Sequence, residues 1–257
     1  MGATALIADL RRALDPSAMM QACGMIPDAW QRDLLRSSAS RIALLACRQS
    51  GKSTTTACLA LHTALYEPGA LILLLSPSLR QSQELFRKVV DAYRVLGNPV
   101  PLHAESALRL ELSHGSRIIS LPGTEQTIRG YSGVNLLIID EAARVADELY
   151  YSVRPMLAVS GGRLIALTTP WGKRGFFYEE WERGHGWERT RITASECPRI
   201  SPQFLAEEQA TLPRRWYQSE YGCVFVDVAG QVFSEDDIAA ALACTVPPLF
   251  PGDPQWG

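Results

Sequence analysis

The sequence predicts an α/β fold of the P-loop nucleoside-triphosphatase type, a mostly parallel sheet with helices on both faces. Three observations predict it. Short, nearly all-apolar runs at 42–46, 70–75, 134–139 and 163–168 alternate with helix-period segments, as parallel strands covered on both faces do. The first run leads into Cys47-Arg48-Gln49-Ser50-Gly51-Lys52-Ser53-Thr54, which fits G-x-x-x-x-G-K-[ST] except that Ala46 replaces the first glycine. The third run closes on two acids, Asp140 and Glu141.

Residues 3–40 have apolar positions at helical intervals, broken at Asp15-Pro16 and Pro27-Asp28. The run 42–46 is the first strand, and 52–66 the helix that leaves the phosphate loop. A second strand, 70–75, is followed by a helix over 79–96. Residues 108–112 and 117–121 alternate around His114-Gly115 and read as a hairpin. Strand 134–139 precedes a helix over 147–157, and strand 163–168 follows it. The 175–225 region is mixed, with helices near 202–210 and 214–221. Four prolines (247, 248, 251 and 254) mark the end as a tail or linker. The chain therefore divides into an N-terminal helical segment (1–40), a core with a lid-like addition (41–245) and the tail (246–257).

At 257 residues the chain is long enough for one large domain. Its 47% hydrophobic and 20% charged residues are ordinary for a globular protein. A net charge of −2 argues against a globally basic nucleic-acid binder and leaves local basic patches open. The longest apolar stretch, Ala70 to Leu75, is too short to span a bilayer, so no membrane partner is expected. Six scattered cysteines fit reduced thiols better than disulfides or zinc, and four histidines show no ligand spacing.

Each motif carries definite chemistry. Backbone N–H groups of 47–53 can wrap a β-phosphate, with the following helix aiming its positive end at the charge. Lys52 would bridge the β- and γ-phosphates, while Ser53 and Asp140 would hold Mg²⁺. Glu141 would polarise the attacking water. A strand and a hairpin lie between Lys52 and Asp140, and a glutamate follows the aspartate. Both point to the additional-strand, catalytic-glutamate class of helicases and translocases and away from GTPases. Thr168 and Thr169 end the next strand, either as a γ-phosphate sensor that couples to nucleic acid or as a plain Thr-Pro strand end. The Gln31 amide can pair with adenine N6 and N7, and Trp30 beside it either stacks or anchors its helix. Arg48, inside the phosphate loop, is either an arginine that reaches the γ-phosphate in cis or a surface residue. Arg129, in a glycine-flanked loop, is either an arginine finger for a neighbouring subunit or a surface residue.

Together these residues resemble the ATPase domain of phage terminase large subunits, the motors that pump viral DNA into procapsids. Asp28-Ala29-Trp30-Gln31 resembles the family's adenine motif, and Cys47 to Thr54 its arginine-bearing phosphate loop. Thr127-Ile128-Arg129-Gly130 resembles the loop with the trans-acting arginine, and Ile138 to Ala142 the Mg²⁺ and catalytic-glutamate motif. Thr168 to Gly172 resembles the coupling motif, while 216–221 and 232–234 resemble the domain's ending. The resemblance implies ATP and Mg²⁺ as cofactors and double-stranded DNA, a portal and a small terminase subunit as partners. It also implies a homo-oligomeric ring when assembled, with a monomer as the alternative in isolation, acting in the bacterial host cytoplasm. Family members usually continue into an RNase H-like nuclease domain. The acids Asp227, Glu235, Asp236, Asp237 and Asp253 do not make a two-metal site in sequence, so this chain alone is expected not to cut DNA. Two other functions compete with DNA packaging: a helicase-like DNA-dependent ATPase and a nucleotide-binding assembly module. Intact Lys52, Asp140 and Glu141 speak against the module.

Overall fold

The computed structural model describes residues 2–123 and 130–226. Eight strands form one sheet in the order β3-β4-β5-β2-β6-β7-β1-β8. Four of them, β1 (Arg41–Ala46), β2 (Leu71–Ser76), β6 (Leu136–Asp140) and β7 (Arg163–Thr168), are almost wholly buried. They are the four apolar runs of the sequence. All pairings among β5, β2, β6, β7, β1 and β8 are parallel, whereas β3 (Leu102–Ser106), β4 (Arg109–Leu112) and β5 (Arg117–Pro122) run as an antiparallel ribbon.

Strand alternation sorts the core into two layers. Ile42, Leu44, Ile72, Leu74, Ile138 and Ile165 pack with Met19, Leu34, Leu59 and Phe86 on one face. That face is covered by α2 (Pro16–Ala22), α3 (Ala29–Arg36), α4 (Lys52–Tyr66) and α5 (Leu79–Val95). Leu45, Leu73, Leu75, Leu137 and Ile139 point the other way, toward Tyr150 on α6 (Asp147–Val153) and Phe176 and Phe177 on α7 (Gly175–Glu182). Tyr150 and Phe176 stack with centroids 4.0 Å apart, which ties those two helices together.

Helix boundaries follow the local chemistry. Asp15 accepts from the Ser17 amide at 3.0 Å with Pro16 opening α2, so α1 (Ala3–Leu14) ends where the sequence is broken. Asp28 and Gln31 form a capping box that starts α3. Ser201 caps α8 (Pro202–Thr211), and α9 (Arg214–Glu220) follows after a short turn.

Two strands were not expected. β3 is exposed along its length, and β8 (Glu188–Ile192) is an edge strand of mostly charged residues. The strand that separates β1 from β6 is β7, which comes after Asp140 in the chain. The additional-strand class is therefore as expected, but the extra strand is not the segment between Lys52 and Asp140. That segment, β2 to β5, extends the sheet on the far side of β6. Among the described residues no helix is long and apolar enough to cross a membrane. Arg129, the acids from 227 onward, the 232–234 motif and the proline-rich tail lie outside the described residues.

Candidate nucleotide site

The parallel strands end together at one edge, and the site lies outside those carboxyl ends, as open α/β sheets require. β1 runs through Ala46 without a break, pairing it with Ile192 of β8, so the position where the motif expects glycine is extended strand. The loop turns instead at Gln49 (φ 61°) and Gly51 (φ 88°). Both are left-handed, and Gly51 has a second reason to be glycine. A Cβ there would lie 3.0 Å from Gln31 Nε2 and 3.4 Å from Arg199 Nη2. Ser50 Oγ closes the loop by donating to Cys47 O at 2.9 Å.

Lys52 opens α4 and is buried. Its Nζ donates to Thr169 Oγ1 at 3.1 Å and stands 3.4 Å from Glu141 Oε1. Ser53 Oγ donates to Asp140 Oδ2 at 2.8 Å. Asp140 is the last residue of β6, and Glu141 takes a left-handed backbone (φ 51°, ψ 43°) that is uncommon for a non-glycine residue. That sharp turn lets adjacent acids serve one site. Burial first, and Glu141 second, push the Asp140 carboxyl above its usual range, while Lys52 and the Ser53 hydroxyl pull it back. Thr168 Oγ1 accepts from the Ala143 amide at 3.3 Å, so the end of β7 touches both the lysine and the turn after the glutamate.

Arg48, Gln49, Gly51, Lys52, Ser53, Thr54 and Glu141 line a cavity of about 410 Å³. Gln81 and Lys88 on α5 and Arg144 complete it, and none of the three stands out in the sequence. Arg144 lies 4.0 Å from Glu141 Oε2 and sits over the Trp171 ring at 3.8 Å, joining the glutamate to the turn after Thr168-Thr169. Its position three residues past Glu141 is the available signal.

The remaining expected residues are placed as follows. Arg48 is exposed and ion-pairs through Nε with Glu220 on α9, while its amide donates to Glu220 O at 3.3 Å. Trp30 is packed in the core beside Met19 and Leu34. Gln31 is 2% exposed, with Oε1 accepting from the Asp28 amide at 2.8 Å and Nε2 donating to Thr55 Oγ1 at 2.9 Å. Neither Trp30 nor Gln31 reaches the cavity wall. Arg199, absent from the sequence reading, bridges the N-cap of their helix to the loop. Its guanidinium pairs with Asp28 Oδ2 at 2.8 Å and donates to Ser50 O. Cys47 is fully buried, and burial pushes its thiol up to about 11. Iodoacetamide near neutral pH is therefore expected to spare Cys47 in the folded protein and label it after denaturation, as read by peptide mass mapping. Labelling of native Cys47 at the denatured rate would contradict the loop as placed.

A family model described as "Terminase large subunit, T4likevirus-type, N-terminal" matches residues 43–240. The chain belongs to this terminase family. The terminase match takes in the phosphate loop, Asp140-Glu141 and Thr168-Thr169 together. The terminase large subunit of Thermus phage G20c is 26% identical over 270 residues, covering 91% of this chain and 56% of that one. A probable terminase large subunit of Enterobacteria phage P7 is 24% identical over 170 residues, covering 60% of this chain and 34% of that one. The chain thus spans about half the length of the curated terminases it matches first. The large terminase ATPase domain of Thermus phage P74-26 has the same fold. Its TM-score is 0.71 at 22% identity, covering 80% of this chain and 97% of that one. A large terminase from a thermophilic bacteriophage, in complex with ADP, gives a TM-score of 0.63 at 12% identity, covering 78% and 54%.

Proposed function

We propose that this chain hydrolyses ATP and that the hydrolysis drives double-stranded DNA into a viral procapsid. The observation that carries the proposal is the meeting of Lys52, Ser53, Asp140, Glu141 and Thr169 at the strand ends. Lys52 neutralises the β/γ-phosphate oxygens, and the loop amides and the start of α4 hold the β-phosphate. Ser53 and Asp140 would hold Mg²⁺, whose charge offsets that of the phosphates. A hydroxyl and one carboxylate, with phosphate and water oxygens, suit that hard ion better than an all-protein cage. The raised, buried Asp140 carboxyl fits a group awaiting positive charge. Glu141 accepts a proton from the attacking water. Thr169 on Lys52 and Thr168 on the turn after Glu141 form the path by which loss of the γ-phosphate reaches the rest of the sheet.

The ADP complex of the thermophilic phage terminase and membership in the terminase family support the nucleotide and the packaging role. Trp30-Gln31 is proposed to serve the adenine end of the site by supporting the loop, and Arg48 to act on the γ-phosphate in cis after leaving Glu220. A homo-oligomeric ring on a portal, with a small terminase subunit, in the bacterial cytoplasm completes the proposal. Lys173-Arg174 and the exposed Arg214-Arg215 are its candidate DNA contacts. Steady-state phosphate release with and without double-stranded DNA, followed by packaging into procapsids, tests it. DNA-stimulated turnover without packaging would favour a helicase-like ATPase. Binding without turnover would favour an assembly module.

Arg129 is proposed to complete the site of a neighbouring subunit. Arg129→Ala is expected to lower turnover with little change in ATP affinity, as loss of a transition-state contact does. Mixing it with Glu141→Gln under assembling conditions is expected to restore part of the activity, because some interfaces then hold both groups. No recovery in a confirmed assembly would show that Arg129 does not act in trans.

A further inference from the structure

One wall of the phosphate cavity does not belong to the loop. Gln81, Lys88, Glu141 and Arg144 form it. We infer that Gln81 donates from its side-chain amide to the γ-phosphoryl group and holds it for attack by the water that Glu141 activates. The inference rests on the ATP reading and adds to it a residue that no sequence motif marked.

The fold brings Gln81 to this place. β2 lies beside β6 with Leu75 level with Ile139, so Ser76 and Asp140 end the two strands side by side. Neighbouring strands are about 4.8 Å apart. The chain leaves β2 through Pro77 and enters α5 at Ser78, its N-cap. Gln81 is in the first turn of that helix and therefore stands beside the turn that carries Glu141.

Its amide is also oriented. Ser78 Oγ accepts from the Gln81 backbone amide at 3.3 Å and donates to Gln81 Oε1 at 2.8 Å. The carbonyl end is thus engaged, while Nε2 keeps two N–H donors with no partner among the described residues. Gln81 is half-buried, and a donor held by its own helix cap has little side-chain entropy left to lose. The other residues of this wall do not offer the same group. Glu141 as a carboxylate only accepts, Arg144 is drawn to Glu141 and stacked on Trp171, and Lys88 is an exposed cation on a flexible stem.

During transfer, charge spreads over the three peripheral oxygens of the γ-phosphoryl group. Lys52 meets that charge from the loop side and Gln81 from the α5 side. A preorganised N–H aimed at such an oxygen stabilises the transition state more than the ground state. ADP lacks the group, so Gln81 contributes nothing to ADP binding.

Mg²⁺-ADP with and without aluminium fluoride, which stands in for the phosphoryl group in transit, separates these effects. Gln81→Ala is expected to lower ATP turnover about 10²-fold, the scale for one lost donor. It is expected to weaken the aluminium fluoride complex by a similar factor and to leave ADP affinity unchanged. Gln81→Glu keeps the acceptor for Ser78 Oγ and the capping spacing but has no N–H. It is expected to unfold at the wild-type temperature and to show the same loss. Wild-type turnover in Gln81→Glu would overturn the role of Gln81 alone. So would equal weakening of ADP and its aluminium fluoride complex in either variant with unaltered thermal unfolding. A wild-type chain that neither binds ADP nor hydrolyses ATP would overturn the ATP reading and the role of Gln81 with it.

Discussion

Lys52→Ala is expected to abolish measurable ATP turnover, with a loss of at least about 10²–10³-fold, the scale for removing one preorganised donor from developing charge. The buried ammonium is the group placed to balance the β/γ-phosphate. Arg48 is paired with Glu220, and Arg144 is drawn toward Glu141 and stacked on Trp171, so neither stands ready to replace it. The substitution also strips the charge that offsets Asp140 and Glu141. Breaking a buried pair by removing one partner costs about 3–5 kcal/mol when the other is fully desolvated. Glu141 keeps 22% side-chain exposure, so water takes up much of that loss. Circular dichroism is therefore expected to show a folded variant, and phosphate release to show an inactive one. Turnover near the wild-type rate in the folded variant would remove the basis of the site.

Glu141→Gln is expected to give a different defect. The amide has the shape of the carboxylate, and the left-handed turn that aims it is made by the backbone, so the site should keep its geometry. What is lost is the ability to take a proton from water, a contribution of about 10²–10⁴-fold. Asp140, Ser53 and Lys52 remain, and nucleotide affinity is expected to persist. Calorimetry showing that ATP binding is lost along with turnover would reassign Glu141 to a structural part.

These expectations are legible in the sequence because the residues proposed to hold phosphate are local. Residues 47 to 54 are one loop running into the first turn of α4, and Asp140 ends one strand with Glu141 next to it, so strand burial and motif spacing report them directly. The four central strands are legible for the same reason: Leu71–Ser76 and Leu136–Asp140 are buried on both faces and read as unbroken apolar runs. β3 and β8 carry no such pattern because solvent meets them along one side or throughout, and only their pairing partners define them. The order of the sheet is not legible either. Which strand falls between β1 and β6 depends on a crossover that motif order along the chain does not encode. Arg199 reaches Ser50 across 149 residues, and no local pattern announces such a contact. Gln31 is half-legible. Asp28 and Gln31 stand at capping-box spacing, so the sequence already contains the competing use of that amide.

The central claim is that the phosphate loop and the two acids hydrolyse ATP. A single-turnover experiment tests it most directly: purified wild-type chain in excess over γ-labelled ATP, with and without Mg²⁺, quenched over time. The account predicts Mg²⁺-dependent release of all the label as inorganic phosphate from wild type, and intact bound ATP in Glu141→Gln over the same interval. Intact ATP bound to the wild-type chain at the end of that interval, or equal release from both proteins, would contradict it.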